Sequence, residues 1–159
     1  MAPKHKAEFI NREISWLAFN DRVLQEAADP SVPLIERIRF LGIFSNNQDE
    51  FFRVRVATLK RLVNMKMDEV VRYFDMEPQR CLSEIQAIVI KLQAKFERVY
   101  QNIINELENE DIHIVNESEL DEDQNRFVRA YFEEKVRSNL VPIMLDSEKP
   151  FPRVKDKVI

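Results

Sequence analysis

Between Phe40 and Ala57 the chain reads FLGIFSNNQDEFFRVRVA, which sets Ser45, Asn46 and Asn47 beside an acidic pair, Asp49 and Glu50, and an arginine pair, Arg53 and Arg55. A carboxamide carries a donor and an acceptor side by side, the combination that pairs with the edge of an adenine ring. Gly42, the only glycine of the chain, stands just before these residues. The pattern predicts that an apolar helix stops, turns and restarts here, which would gather hydrogen-bonding groups at one helix start. Two readings follow. Ser45, Asn46 and Asn47 each have Gln48, Asp49 or Glu50 three places later, so plain helix capping is available in any of three registers. Ligand binding is the other reading, because three neighbouring amides or hydroxyls exceed what one cap uses.

Other reactive residue types offer less. Asp49 and Glu50 are adjacent on a helix and point about 100° apart, poor geometry for a two-carboxylate site. Their negative charge suits a helix N-terminus instead. His5 and His113 are the only histidines, and neither has a paired base or ligand in the pattern. A phosphate-cradling loop needs several glycines. Cys81 is the single cysteine, which excludes an internal disulfide and fits a reducing compartment. The residues therefore assign no catalytic group and no metal ligand.

The bulk composition narrows the partners. A formal net charge of -4 argues against nucleic acid, whose backbone calls for a basic excess, and against this chain alone holding a long polyanion. Hydrophobic residues at 45% and charged residues at 33% are the balance of a soluble globular protein. No window is long and apolar enough for a membrane span, and MAPKHKAEF lacks the apolar stretch of a signal peptide. The expectation is a cytoplasmic protein, with peripheral membrane association left open.

The elements that must position the polar cluster read as helices, and scarcity of glycine argues against tight hairpins. Met1 to Glu8 reads as a loose leader. Trp16, Phe19, Val23 and Ala27 recur at helical spacing after Ser15, a plausible cap, and their apolar arc also contains Asn20, whose amide is expected to face the core. Leu34, Ile35, Ile38, Leu41 and Ile43 give a short second helix with Arg37 and Arg39 on its polar sides. The restarted helix buries Phe51, Phe52, Val56, Leu59, Leu62 and Val63, and Arg55 falls on that side, so it needs an acidic or ligand partner. After a less regular MKMDEVVRYFDME, Pro78 opens a periodic run to about Glu110, on the order of 30 residues or 45 Å. The short connection predicts a long antiparallel helical hairpin. Ile112 to Val115 reads as a short extended segment, Ser118 or Asp121 as the cap of a further helix, and Leu140 to Leu145 as a strand. The fold class is mainly α: a helical N-terminal bundle over residues 1–110, then the start of an incomplete α/β domain over 111–159.

Taken together, FINREISWLAFNDRVLQEAADPSVPLIERIRFLGIFSNNQDEFFRVRVATLKR closely resembles the N-terminal domain of the long bacterial polyphosphate kinases. The motifs INRE.SWL.FN.RVL.EA and PL.ER.RFLGI.SNN.DEFF.VR.A occur in order over residues 9–61, with Gln48 where the family usually carries leucine. The resemblance implies an enzyme that reversibly moves the terminal phosphate of ATP onto inorganic polyphosphate through a phosphohistidine, with magnesium. It implies that Asn47 contacts the adenine ring; from their placement, Asn46, Asn20 and Arg55 are expected to be its scaffold. It also implies that the phosphohistidine and the magnesium ligands lie in C-terminal domains absent from this chain, that residues 111–159 begin a head domain, and that the complete enzyme is a homo-oligomer. The competing expectation is a non-catalytic helical docking or oligomerisation module whose amides serve only as caps.

Overall fold

The computed structural model describes residues 10–65, 76–145 and 150–152, with the backbone alone for Met65. The leader with His5, the irregular stretch from 66 to 75 and the last seven residues lie outside the described residues. The chain divides into two units between His113 and Ile114.

The first unit begins with α1, Arg12–Ala28. Its cap is Asn11, whose side-chain oxygen accepts from the backbone N–H of Glu13 at 3.0 Å and of Ile14 at 3.4 Å. Ser15, the expected cap, therefore sits one turn inside the helix. The buried residues are Glu13, Leu17, Asn20, Leu24 and Ala27, at alternating spacings of four and three that trace one helical stripe. A turn follows in which the hydroxyl and backbone N–H of Ser31 hydrogen-bond to Asp29 and lower its carboxyl below the ordinary value.

The next helix, α2, spans Leu34–Phe51 and does not stop at Gly42 or at Ser45-Asn46-Asn47. It continues through a wider π-helical turn, Phe52–Val56, into α3, Ala57–Met65. The expected stop and restart is thus corrected, and magnitudes explain why. A glycine inside a helix costs about 1 kcal/mol and an asparagine somewhat less. Burying a Leu or Phe side chain returns about 1.5–3 kcal/mol each, and α2 buries Leu41, Phe44 and Phe51. Packing outweighs propensity. A Cβ placed on Gly42 would meet nothing within 4 Å, and its backbone φ is not positive. The π-helical turn absorbs one extra residue, so Phe51, Val56 and Leu59 are all buried although the first two are five apart.

Helix α4, Pro78–Asn109, opens on a proline in its first turn and runs 32 residues, as the periodicity predicts. It buries Cys81, Ile85, Val89, Leu92, Val99, Ile103 and Leu107. Burial, then the charges of Glu13 and Glu84, push the Cys81 thiol above its ordinary value. The helix closes in a Schellman motif: Ile112 N–H bonds to Leu107 O at 2.9 Å and Asp111 N–H to Glu108 O at 3.2 Å. Asp111 takes φ 59° there, a left-handed conformation that its short polar side chain tolerates.

Contacts between helices set the directions. Phe44 stacks on Phe96 at 5.5 Å and Arg37 reaches Glu106, so α2 runs antiparallel to α4. Asn11 lies against Cys81 and Asp21 against Lys95, so α1 runs parallel to α4. The expected antiparallel hairpin is present, with α1 packed along it.

The second unit holds α5, Glu122–Tyr131, followed by a π-helical turn, Phe132–Val136, and a short 3-10 turn, Arg137–Asn139. Asp121 caps α5 in a capping box: it accepts from the Gln124 N–H at 2.8 Å, while its own N–H donates to the Gln124 side chain at 3.0 Å. Of the two caps expected there, Asp121 is the one used. Residues 112–115 and 140–145, expected as extended segment and strand, enter no sheet among the described residues. A strand is stabilised by its neighbours, and these segments have none among the described residues.

Candidate functional site

The seam between α1 and α2 gathers Asn20, Asn47 and Arg55 of the polar residues singled out in the sequence. The two helices run antiparallel, and their contacts form a ladder. At one end Arg55 Nη1 lies 3.2 Å from Glu13 Oε2, supplying the acidic partner that its position demands. Trp16 stacks on Phe51 at 4.7 Å in the next layer. One turn further along α1 comes an amide cluster. At the far end the buried Arg37 donates to Ala27 O at 2.9 Å and to Glu106 Oε2 at 2.6 Å.

The amide cluster centres on Asn20, which is 0% exposed. Its Nδ2 donates to the backbone oxygen of Phe44 at 3.2 Å and to Gln48 Oε1 at 3.3 Å. Its Oδ1 accepts from Asn47 Nδ2 at 3.1 Å. Both hydrogens and the oxygen of a fully buried amide are therefore used, as burial requires. Asn47 is half-buried. One of its N–H groups is committed to Asn20, which leaves the second N–H and Oδ1 for something else. Gln48 Nε2 is buried with no hydrogen-bond partner. Such a donor costs about 1–3 kcal/mol.

Asn20, Asn47 and Gln48 are thus brought together, and Asn20 faces the core as expected. Asn46 and Ser45 are exposed on the outer side of α2 and take no part in the cluster. Arg55 shares the seam but sits with Glu13, roughly 10 Å along α1 from Asn20. Because α2 is continuous here, Ser45, Asn46 and Asn47 cap nothing.

Three participants escaped the sequence reading. Glu13, Arg37 and Gln48 all fall in phase with apolar residues: 13, 17, 20, 24 and 27 on α1, and 37, 41, 44, 48 and 51 on α2. Arg37, expected on a polar side, is buried because of that phase. The signal was present in the spacing, and residue type concealed it.

A cleft of about 360 Å³ lies at the other end of α2, lined by Pro30, Ser31, Pro33, Arg37, Glu106 and Asn109 among others. It does not include the amide cluster, and its one cation is already paired with Glu106. Among the described residues no group of three or more His, Cys, Asp or Glu could hold a metal ion. Among the same residues no helix is long and apolar enough to cross a membrane.

Comparison with known proteins places the chain. The family described as "Polyphosphate kinase N-terminal domain" matches residues 9–115. A polyphosphate kinase of Vibrio parahaemolyticus is 46% identical over 140 residues, covering 88% of this chain and 20% of that protein. The polyphosphate kinase of Escherichia coli is 41% identical with the same coverage. The crystal structure of polyphosphate kinase from Porphyromonas gingivalis superimposes with a TM-score of 0.76 at 31% identity, covering 94% of this chain and 21% of that one. The chain spans about one fifth of the length of the curated relatives it matches. With residues 9–115, two thirds of its length, matched, the chain belongs to the polyphosphate kinase N-terminal domain family.

Proposed function

We propose that this chain forms the adenine side of the ATP site of a polyphosphate kinase, which reversibly transfers the terminal phosphate of ATP to inorganic polyphosphate. The proposed partners are ATP or ADP, polyphosphate, a head domain that begins near residue 111, C-terminal domains that carry the phosphohistidine, and further copies of the enzyme. Magnesium is the proposed cofactor of the reaction, held by residues outside this chain. The proposed setting is the cytoplasm.

One observation carries the assignment of Asn47. Its carboxamide stands mid-helix, where capping does not account for it, anchored to Asn20 on one side and with Oδ1 and an N–H unspent. That remaining edge has the donor and acceptor that an adenine edge requires. Phosphoryl transfer depends on positioning and on charge stabilisation around the moving phosphoryl group. The role of this chain is positioning through the base. In the full-length enzyme Asn47→Ala should raise the ATP KM about tenfold, within the range for one carboxamide–base pair, and leave polyphosphate binding unchanged. An unaltered ATP KM would remove the assignment.

A docking or oligomerisation role is the second reading. Exposed Phe19, Ile35, Ile43, Val54 and Ile90 on the outside of the bundle favour it. It predicts that Ile90→Asp changes oligomer size while Asn47→Ala is silent towards ATP.

A further inference from the structure

We infer that Asn20 is a positioning residue that locks the carboxamide of Asn47 in one of its two flip states, and that this lock sets the preference for adenine over guanine. The inference rests on the adenine role of Asn47 proposed above. A carboxamide has nearly the same shape when turned by 180°, so an unconstrained asparagine offers either an oxygen or an NH2 group at a given point. Here the choice is made by the backbone. Phe44 O can only accept, so the fully buried Asn20 must turn its Nδ2 towards it. Gln48 Oε1 takes the other hydrogen and agrees with that orientation.

Asn20 Oδ1 is then left as a pure acceptor facing Asn47, and Asn47 must answer with Nδ2. Reversing Asn47 would set two oxygens against each other in a partly buried contact and take from the fully buried Asn20 Oδ1 its donor. Gln48 cannot turn to satisfy its own stranded Nε2, because its NH2 would then face the NH2 of Asn20. The three amides form a relay with one direction, fixed by a single backbone carbonyl. In that state Asn47 presents Oδ1 away from Asn20. For a base seated in one pose, an outward oxygen meets the exocyclic amino group of adenine, whereas guanine places its O6 carbonyl at the same point. A free carboxamide could turn to serve both bases, while the locked one opposes guanine.

The test compares ATP and GTP as phosphoryl donors in the full-length enzyme. Asn20→Leu, close in volume, should lower the ratio of kcat/KM for ATP over GTP about tenfold, because Asn47 can now turn. A merely structural role for Asn20 would depress both nucleotides alike and keep the ratio, which would overturn the inference. If the variant does not fold, the 159-residue chain itself decides by NMR: the side-chain NH2 of Asn47 should exchange with solvent far more slowly than that of exposed Asn46. Equal exchange rates would overturn the lock. The two proposals fail separately. Asn47→Ala without effect on the ATP KM removes the adenine role, whereas a strong Asn47→Ala effect with an unmoved ATP/GTP ratio in Asn20→Leu removes only the relay.

Discussion

Helices α4 and α5 carry the same kind of sequence message and come to opposite ends. In α4 the apolar residues from Cys81 to Leu107 are buried at three-and-four spacing. In α5 and the turn after it, Phe127, Val128, Tyr131 and Phe132 have comparable periodicity, yet Phe127 remains 70% exposed and α5 buries nothing. Only Phe127 and Tyr131 find each other, stacked at 6.2 Å. Beyond α5 the apolar run from Leu140 to Leu145 is exposed throughout. An apolar stripe states that a helix has a face to bury, and a partner element decides whether burial happens. The first unit contains its partners. The second unit, in a chain that spans one fifth of its relatives, shows an apolar surface with no covering element among the described residues.

Substitutions measure that contrast. The largest difference is expected between Phe51→Ala and Phe127→Ala in urea denaturation of this chain. Phe51 is 1% exposed between Trp16 and the core, and its truncation should cost about 3–5 kcal/mol. Phe127→Ala should fall within about 0.5 kcal/mol of the parent. A large cost at Phe127 would mean that the second unit has a core of its own, and the comparison would fail.

A smaller effect should follow from Arg37→Ala, about 3 kcal/mol, because it strands Ala27 O and leaves Glu106 without its buried partner. A loss below about 1 kcal/mol would show that this pair does not join α2 to α1 and α4. The smallest effect has the opposite sign. Gly42→Ala should stabilise the chain by about 0.5–1 kcal/mol, since the helix is unbroken there and an added methyl meets nothing. Destabilisation would bring back the expected break at Gly42 and weaken the case that packing, rather than local propensity, holds the first unit.

Much of the site was legible from residue types. A carboxamide in an apolar arc marked Asn20 as buried, and an arginine in phase with Phe51 marked Arg55 as paired. The helix from Pro78 followed from its period, and Asp121 was one of the two caps expected before α5. The misreadings of helix ends and caps share one cause. Gly42 and Ser45-Asn46-Asn47 have strong local preferences for helix ends, and Ser15 for a cap, but local preferences are worth about 1 kcal/mol each.

The sequence by itself determined which residues seek burial, through a periodicity that needs no partner to be read: the stripes of α1, α2 and α4, and equally the unsatisfied stripe of α5. Tertiary structure decided which of those demands are met. It ran α2 through its polar stretch, because burying Leu41, Phe44 and Phe51 outweighs the cost of a mid-helix glycine. It also turned Asn20, Asn47 and Gln48 into one directed relay. Hydrogen-bond direction depends on what lies opposite each amide, and Asn20 lies 24 residues before the Phe44 carbonyl that fixes it.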